Sequence, residues 1–400
     1  MLGGLVASGC RAEFVIGIIE GDGSAGASTT TRASTGPDSN ETTTTGSELT
    51  GASTLGTSSS TTDEGSSSMG VAPDIPMVKC EAPTGHSVCD SDLNPFHALG
   101  LDCGASPTDS IAIEGEVFAP ADASSWRVVR DYGGPGFTRT EGNNLLALST
   151  GQLPMPVMNV LTVPPEDTDM PGTNNGNPDN TPLPVPIDPS SGTADGTPFV
   201  GCDDIGDCSE SLPEPWDAGG PANDLVYMAF DVDVPAGVYA YQVDLAWFST
   251  EFPLRSTVTG TDLAVWWQSS EAFTGNMATL DGQALSADGL ASFLVDEGLL
   301  GGRDDAELMG TGYEGSSGLP CNSGAGTLDD CPHGGGTGWL TMTGPVVGGE
   351  TATMVLAVFD LFDNARDTTV LADSFRWRCE GCQPGSTCGV GPFEETVFGR

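Results

Sequence analysis

The chain has 400 residues and a formal net charge of −44, from 12 basic and 56 acidic residues. Because such a surface repels phosphate, we expect no binding to nucleic acid or to anionic lipid head groups. An acidic coat that keeps the protein soluble explains the charge, and recruitment of divalent cations by clustered carboxylates is the alternative. The chain also contains 56 glycines and 29 prolines, which is typical of short strands joined by many loops.

Residues 1–21 predict a lipid anchor. Three small residues, Ala7, Ser8 and Gly9, stand directly before Cys10, as at the acylation site of bacterial lipoproteins. No Lys or Arg precedes Cys10, whereas a signal peptide has a basic start and an apolar stretch of about 7–15 residues. We therefore expect translation to begin upstream; a chance Ser-Gly-Cys is the alternative. Beyond Cys10 no apolar run approaches the roughly 20 residues of a spanning helix, so the lipid is the predicted membrane contact.

Residues 22–78 predict a spacer. They are rich in Ser, Thr and Gly, and almost nothing in them can be buried to offset the entropy cost of ordering. A flexible, low-complexity linker that holds residues 79–400 away from the membrane is the interpretation.

The segment 79–400 predicts an all-β domain, a jelly-roll-like β-sandwich with long loops. Residues 225–234 and 238–248 show the strongest strand pattern, and the turn at 235–237 predicts that they are antiparallel. Residues 162–198 are dense in Pro, Asn, Asp and Gly, and predict a long loop. No convincing helix is expected. Further strands are predicted at 111–118, 126–130, 144–149, 261–267, 338–343, 351–359 and 370–377.

Ten cysteines follow Cys10, and an even number in an exported chain predicts disulfides. Near-neighbour spacing favours Cys202–Cys208 and Cys321–Cys331. The other pairings stay open, and a bridge between the first and last groups would tie the ends of the domain together. A zinc or redox site at the CxxC of residues 379–382 is the weaker alternative, because no second ligand pair or βαβ pattern accompanies it. The remaining candidates are Cys80, Cys89, Cys103, Cys379, Cys382 and Cys388.

A calcium site is one interpretation of the acidic stretch after the strand at 351–359. Its candidate ligands are Asp360, Asp363, Asp367 and Asp373, since calcium takes about 6–8 oxygen ligands. The spacing of an EF-hand is absent, and turn capping by Asp and Asn is the alternative. No other cofactor is expected.

Two further patterns suggest carbohydrate chemistry. Glu251 and Asp262 could form the carboxyl pair of a glycosidase, although hydrogen bonding of Glu251 to a loop backbone explains it equally. Trp266 and Trp267 are candidates for stacking on a sugar ring, although aromatic residues in strands are more often core.

Several motifs in order resemble the choice-of-anchor L domain of bacterial surface proteins. The resemblance spans most of residues 80–379 and implies a surface-anchored, β-rich domain without known catalytic residues. The matching motifs are NPFHALGL (94–101), EGNNLLALSTG (141–151), the run 223–253 that ends in WFSTEFP, SEAFTGN (270–276), TGWLT (337–341), VLAVFDLFD (355–363) and VLADSF (370–375).

Together these patterns predict a lipoprotein at the extracellular or outer-membrane surface, and not an enzyme. Its expected role is adhesion or binding of a surface glycan or protein ligand. The alternatives are a jelly-roll hydrolase that uses Glu251 and a nearby Asp, and a structural component of the envelope.

Overall fold

The computed structural model describes residues 80, 89, 91–104, 110–134, 136–164, 175–187, 222–252, 262–290, 305–314, 334–361, 366–383 and 386–394. They lie in a compact unit, Pro73–Arg400. Several predictions fall outside the described residues: the anchor with Cys10, the spacer, Asp363, and the bridges Cys202–Cys208 and Cys321–Cys331. Within the described residues, no helix has the length and apolar character needed to cross a membrane.

Strands are the main regular structure of the described residues, which also contain three helices of four residues each, α1 (Pro95–Ala98), α2 (Ala287–Leu290) and α3 (Asp305–Leu308). The strands are β1 (Ile113–Ala119), β2 (Trp126–Val129), β3 (Asp131–Tyr132), β4 (Phe137–Thr138), β5 (Leu145–Ser149), β6 (Val160–Leu161), β7 (Ala222–Asp233), β8 (Ala240–Ser249), β9 (Leu263–Ser269), β10 (Thr274–Asn276), β11 (Thr279–Leu280), β12 (Gln283–Ala284), β13 (Gly335–Gly336), β14 (Leu340–Pro345), β15 (Thr351–Leu361), β16 (Thr368–Arg378) and β17 (Gly389–Pro392).

These strands form a β-sandwich, as the sequence predicts. One sheet has five strands in the order β1-β7-β15-β9-β10. The other has nine, in the order β12-β11-β17-β14-β8-β16-β5-β2, with β13 also paired to β8. A small third sheet has the order β4-β3-β6.

Aromatic side chains from both large sheets meet in the main core. Tyr241 of β8 stacks on Phe375 of β16 at 5.3 Å between ring centroids. Trp266 of β9 stacks on Phe375 at 6.2 Å and meets Phe230 of β7 edge-on at 6.4 Å. Because each aromatic ring buries about 150–250 Å² of surface, this cluster is a major source of the stability of the sandwich.

Both large sheets are also covered on their outer faces. Phe248 of β8 packs against Phe137 of the small sheet at 4.7 Å and against Tyr313 at 5.7 Å. On the five-stranded sheet, Trp267 and Phe359 lie in a separate apolar cluster with Ile187. A strand covered on both faces needs no polar alternation, which explains why all ten residues of β8 are buried.

The turn between β7 and β8 joins two sheets, so the predicted pairing of these strands is wrong. β7 pairs with β1 and β15, whereas β8 pairs with β14 and β16. The residues that flank the turn hydrogen-bond elsewhere: Val234 N–H donates to Glu350 O, and Tyr239 N–H donates to Arg378 O. The long strands β15 and β16 supply more ladder hydrogen bonds than a local hairpin would, and they determine the topology.

Three disulfides brace the described residues. Cys80–Cys379 joins the two ends of the domain across a separation of 299 residues. The others, Cys89–Cys103 and Cys382–Cys388, close short loops of 14 and 6 residues. Because Cys379 and Cys382 each pair with another cysteine, this CxxC is neither a zinc site nor a redox pair in this structure.

Candidate functional site

Five carboxyl groups lie buried together at one end of the sandwich, and we call them the carboxyl cluster. Each stands where a strand begins or ends: Asp224 in β7, Glu251 after β8, Asp262 before β9, Asp360 in β15 and Asp367 before β16. Antiparallel pairing brings these strand ends to the same edge, since Asp360 pairs with Asn223 and Phe359 with Leu263. Even the most exposed member, Asp367, has an exposed fraction of only 5%.

Asp262 and Asp360 form the centre of the cluster. The pairing of Phe359 with Leu263 places them directly opposite each other, one residue further along the ladder. Burial is the main cause that raises the pKa of both groups well above its usual value, and the nearby charge of Glu251 raises both further. Each carboxyl group also acts on the pKa of the other as a neighbouring polar group, and a hydrogen bond between two carboxyl groups requires one of them to carry a proton.

One carboxyl oxygen of each aspartate in this pair has no hydrogen-bond donor. Asp262 Oδ2 and Asp360 Oδ1 are buried without a hydrogen-bond partner. The Thr368 hydroxyl faces Asp262 and acts against the rise in its pKa, yet Thr368 Oγ1 has no partner of good hydrogen-bond geometry. Within the described part of the chain, neither aspartate has an ion-pair partner. Among the described residues, no cation offsets the charge of this buried pair.

Glu251 holds the loop beside this pair. Its Oε2 accepts the backbone N–H of Asp262 at 2.7 Å, and its own N–H donates to Ser249 Oγ at 3.0 Å. The loop-backbone role considered for Glu251 is therefore present in the structure.

Asp224 is the member at the margin of the cluster. Burial, followed by the charge of Asp179, raises its pKa to about 7. Its Oδ1 has no hydrogen-bond partner, and its backbone is left-handed with φ 49°. The neighbouring Asn223 accepts the N–H of Asn180 at 2.9 Å, which fixes the segment around residue 180 next to the start of β7.

The structure describes three of the predicted calcium ligands, Asp360, Asp367 and Asp373, and it does not bring these three together. Asp360 and Asp367 belong to the carboxyl cluster, but Asp373 lies apart in β16, where it accepts the N–H groups of Thr140 at 2.6 Å and Glu141 at 3.1 Å. Among the residues that the structure describes, no three His, Cys, Asp or Glu side chains are placed to hold a metal ion. The prediction that Asp373 belongs with Asp360 and Asp367 is therefore wrong, because two backbone N–H groups hold its side chain at another place in the fold.

The carbohydrate hypotheses also require correction. Glu251 and Asp262 are neighbours, as a catalytic pair would be, but their exposed fractions are 0% and 1%. Trp266 and Trp267 are both 0% exposed. Their faces pack on other core side chains, because both sides of the five-stranded sheet are covered. Neither indole can stack on a sugar ring in this structure.

A second feature, an exposed apolar loop at residues 155–158, was not predicted from the sequence. The exposed fractions of Met155, Val157 and Met158 are 78%, 71% and 87%. The backbone of Val157 exchanges two hydrogen bonds with Val160, at 2.9 and 3.1 Å. Arg127 fixes the base of the loop by donating to the carbonyl of Pro154 at 2.8 Å and to that of Leu153. The only feature of the sequence that could have indicated this loop is the apolar run MPVM at residues 155–158.

No protein-family model matches the chain, and neither a curated protein nor a solved structure does.

Proposed function

We propose that this chain is a lipid-anchored surface protein of the choice-of-anchor L type, whose β-sandwich binds a protein ligand and performs no catalysis. The observation that carries the binding role is the exposed 155–158 loop. Three large apolar side chains stand in water within four residues of the chain, and a cluster of exposed apolar side chains is typical of interaction sites. Methionine is well suited to such a surface because its flexible thioether adapts to different partners.

The way the loop is held supports this role. Arg127 and the backbone bonds of Val157 pre-order it, so little conformational entropy is lost when a partner binds. The partner that fits is a surface protein with an apolar groove, because a methionine and valine tip offers hydrophobic contact and few hydrogen bonds. This favours a protein ligand over a glycan.

Other observations support the location and the absence of catalysis. Disulfides persist in oxidising compartments, and three brace the described residues. The only carboxyl pair proposed for hydrolysis, Glu251 and Asp262, is buried. A structural role in the envelope is the remaining alternative, and it predicts no saturable ligand.

The binding proposal is tested with beads that carry the purified chain, presented to intact producing cells and to a panel of surface proteins and polysaccharides. We expect the triple variant Met155→Ser, Val157→Ser and Met158→Ser to lose at least about 10-fold in binding. The matched control is Leu93→Ser with Val185→Ser, two side chains with exposed fractions of 68% and 89% elsewhere on the surface. Equal binding by the triple variant and the wild type would refute the proposal.

Two further measurements test the anchor and the absence of catalysis. Cells fed a fatty-acid analogue should label the wild-type chain but not Cys10→Ala. Polysaccharide turnover should be absent from the wild type, and turnover that is lost in Glu251→Gln would establish the hydrolase instead.

A further inference from the structure

We propose that Asp262 and Asp360 share one proton and form a pH-sensitive latch that joins the beginning of β9 to the end of β15. While the proton is held, this end of the sandwich is closed, and when it is removed the two strand ends separate. The latch goes beyond the binding role, and it lies in the carboxyl cluster rather than in the 155–158 loop.

The geometry sets the requirement for the proton. The two side chains face each other across the β9–β15 ladder, each with an exposed fraction of 1%. Two ionised carboxylates in contact and away from water repel each other strongly. A single shared proton removes this repulsion and converts it into a hydrogen bond, as in other pairs of carboxyl groups that titrate as a unit.

The charged groups of the described residues that face the pair all act in the same direction. Asp224 approaches from β7, Glu251 from the end of β8, and Asp367 from the beginning of β16, and their charges raise the pKa of one or both latch residues. The hydroxyl of Thr368 opposes this effect at Asp262. Since the charged neighbours among the described residues are acids, the folded protein holds the shared proton more tightly than the unfolded chain does.

The sign of the pH dependence follows from this difference. An ordinary aspartate loses its proton near pH 4 in the unfolded chain, whereas the latch keeps one to a higher pH. The latch is therefore fully closed on the acid side, and its contribution is lost as the pH rises through the range in which the pair titrates. Loss of the shared proton raises the charge of the pair from −1 to −2 in a buried site, so either water enters or the strand ends part.

Hydrogen exchange in the full chain tests the latch at its own position. Between pH 6 and 9, after correction for the intrinsic exchange rate, we expect at least about a 10-fold loss of protection at the amides of residues 262–264 and 358–361. The amides at the opposite ends of the same strands, residues 267–269 and 351–354, should stay protected. In Asp360→Asn and Asp262→Asn the loss should vanish, because an amide cannot be deprotonated.

The matched control is Asp281→Asn, which removes one charge at an exposed turn and should keep the wild-type profile. If one latch variant fails to fold, the other still tests the idea, and the difference infrared spectrum between the wild type and that other variant should show a protonated carboxyl at neutral pH that the variant lacks. A profile in the wild type that does not change with pH would overturn the latch. So would a rise in melting temperature on adding Ca²⁺ that both variants abolish, since the pair would then be a cation site.

Discussion

Removal of the Cys80–Cys379 disulfide is the sharpest test of how this domain is stabilised. The bridge closes a loop of 299 residues, whereas Cys89–Cys103 and Cys382–Cys388 close loops of 14 and 6. If a disulfide acts by restricting the unfolded chain, its contribution grows with the logarithm of loop length. The relation gives about 5–6 kcal/mol for the long loop, about 3 kcal/mol for the middle one and about 2 kcal/mol for the short one.

The assay is urea unfolding of three double variants, in each of which both cysteines of one bridge are replaced by alanine. Cys80→Ala with Cys379→Ala should lower the free energy of unfolding most, and Cys382→Ala with Cys388→Ala should lower it least. The short bridges serve as matched controls, because each variant loses the same two sulfur atoms. Equal losses in the longest and shortest cases would refute the loop-entropy reasoning. Alkylation without reduction should leave all six of these cysteines unmodified in the intact mass, because they are in disulfides. Alkylated cysteines would be free thiols, and they would remove the support for export.

Three further predictions concern single sites. Asp244→Asn should cost about 3–5 kcal/mol, because it leaves Arg376 buried without its partner; the two now form bonds of 3.0 and 3.1 Å. Replacing both residues by apolar ones should cost much less, and additive costs in urea unfolding would contradict this. The folded pKa of Asp224, about 7, lies above the unfolded value, so in the wild type this group lowers the free energy of unfolding by about 1.4 kcal/mol for each pH unit between pH 4 and 7. Asp224→Asn should remove this part of the slope. An unchanged slope would refute the assignment. Gly151→Ala should lower the melting temperature sharply because its Cβ would overlap the Asp367 carboxylate, whereas Gly391→Ala, with open space around it, should not.

The positions of the longer strands could be predicted from the sequence, but the strands of two to four residues outside β2 and the pairing of the strands could not. The predicted strands at 351–359 and 370–377 lie within β15 and β16, because the local apolar pattern reports burial directly. Pairing is decided by residues far apart in the chain. The separation of β7 from β8 into two sheets therefore left no local signal beyond an ordinary turn.

The carboxyl cluster could not be predicted either, because it depends on pairing between residues far apart in the chain. Asp262 and Asp360 each stand at the end of an apolar run, which sequence analysis can see, but their contact depends on the register of β9 against β15. A shift of one residue would have moved both side chains to the other face of the sheet. Successive side chains of a strand point to opposite faces of the sheet, so the indoles of Trp266 and Trp267 lie on different faces. Both are buried because each face carries its own apolar layer. Coverage of the outer face depends on long-range packing and is not encoded in strand periodicity.

The scarcity of cations explains why the buried acids of this protein are stabilised in different ways. With 12 basic residues against 56 acidic ones, arginine cannot partner every buried carboxylate. Asp244 has Arg376, and Asp373 has two backbone N–H groups. An arginine keeps its charge and a backbone N–H its donor at every physiological pH, so the partner of each of these two carboxyl groups does not change with pH. Asp262 and Asp360 have no ion-pair partner among the described residues, and the proton that we propose they share is the one that a rise in pH would remove.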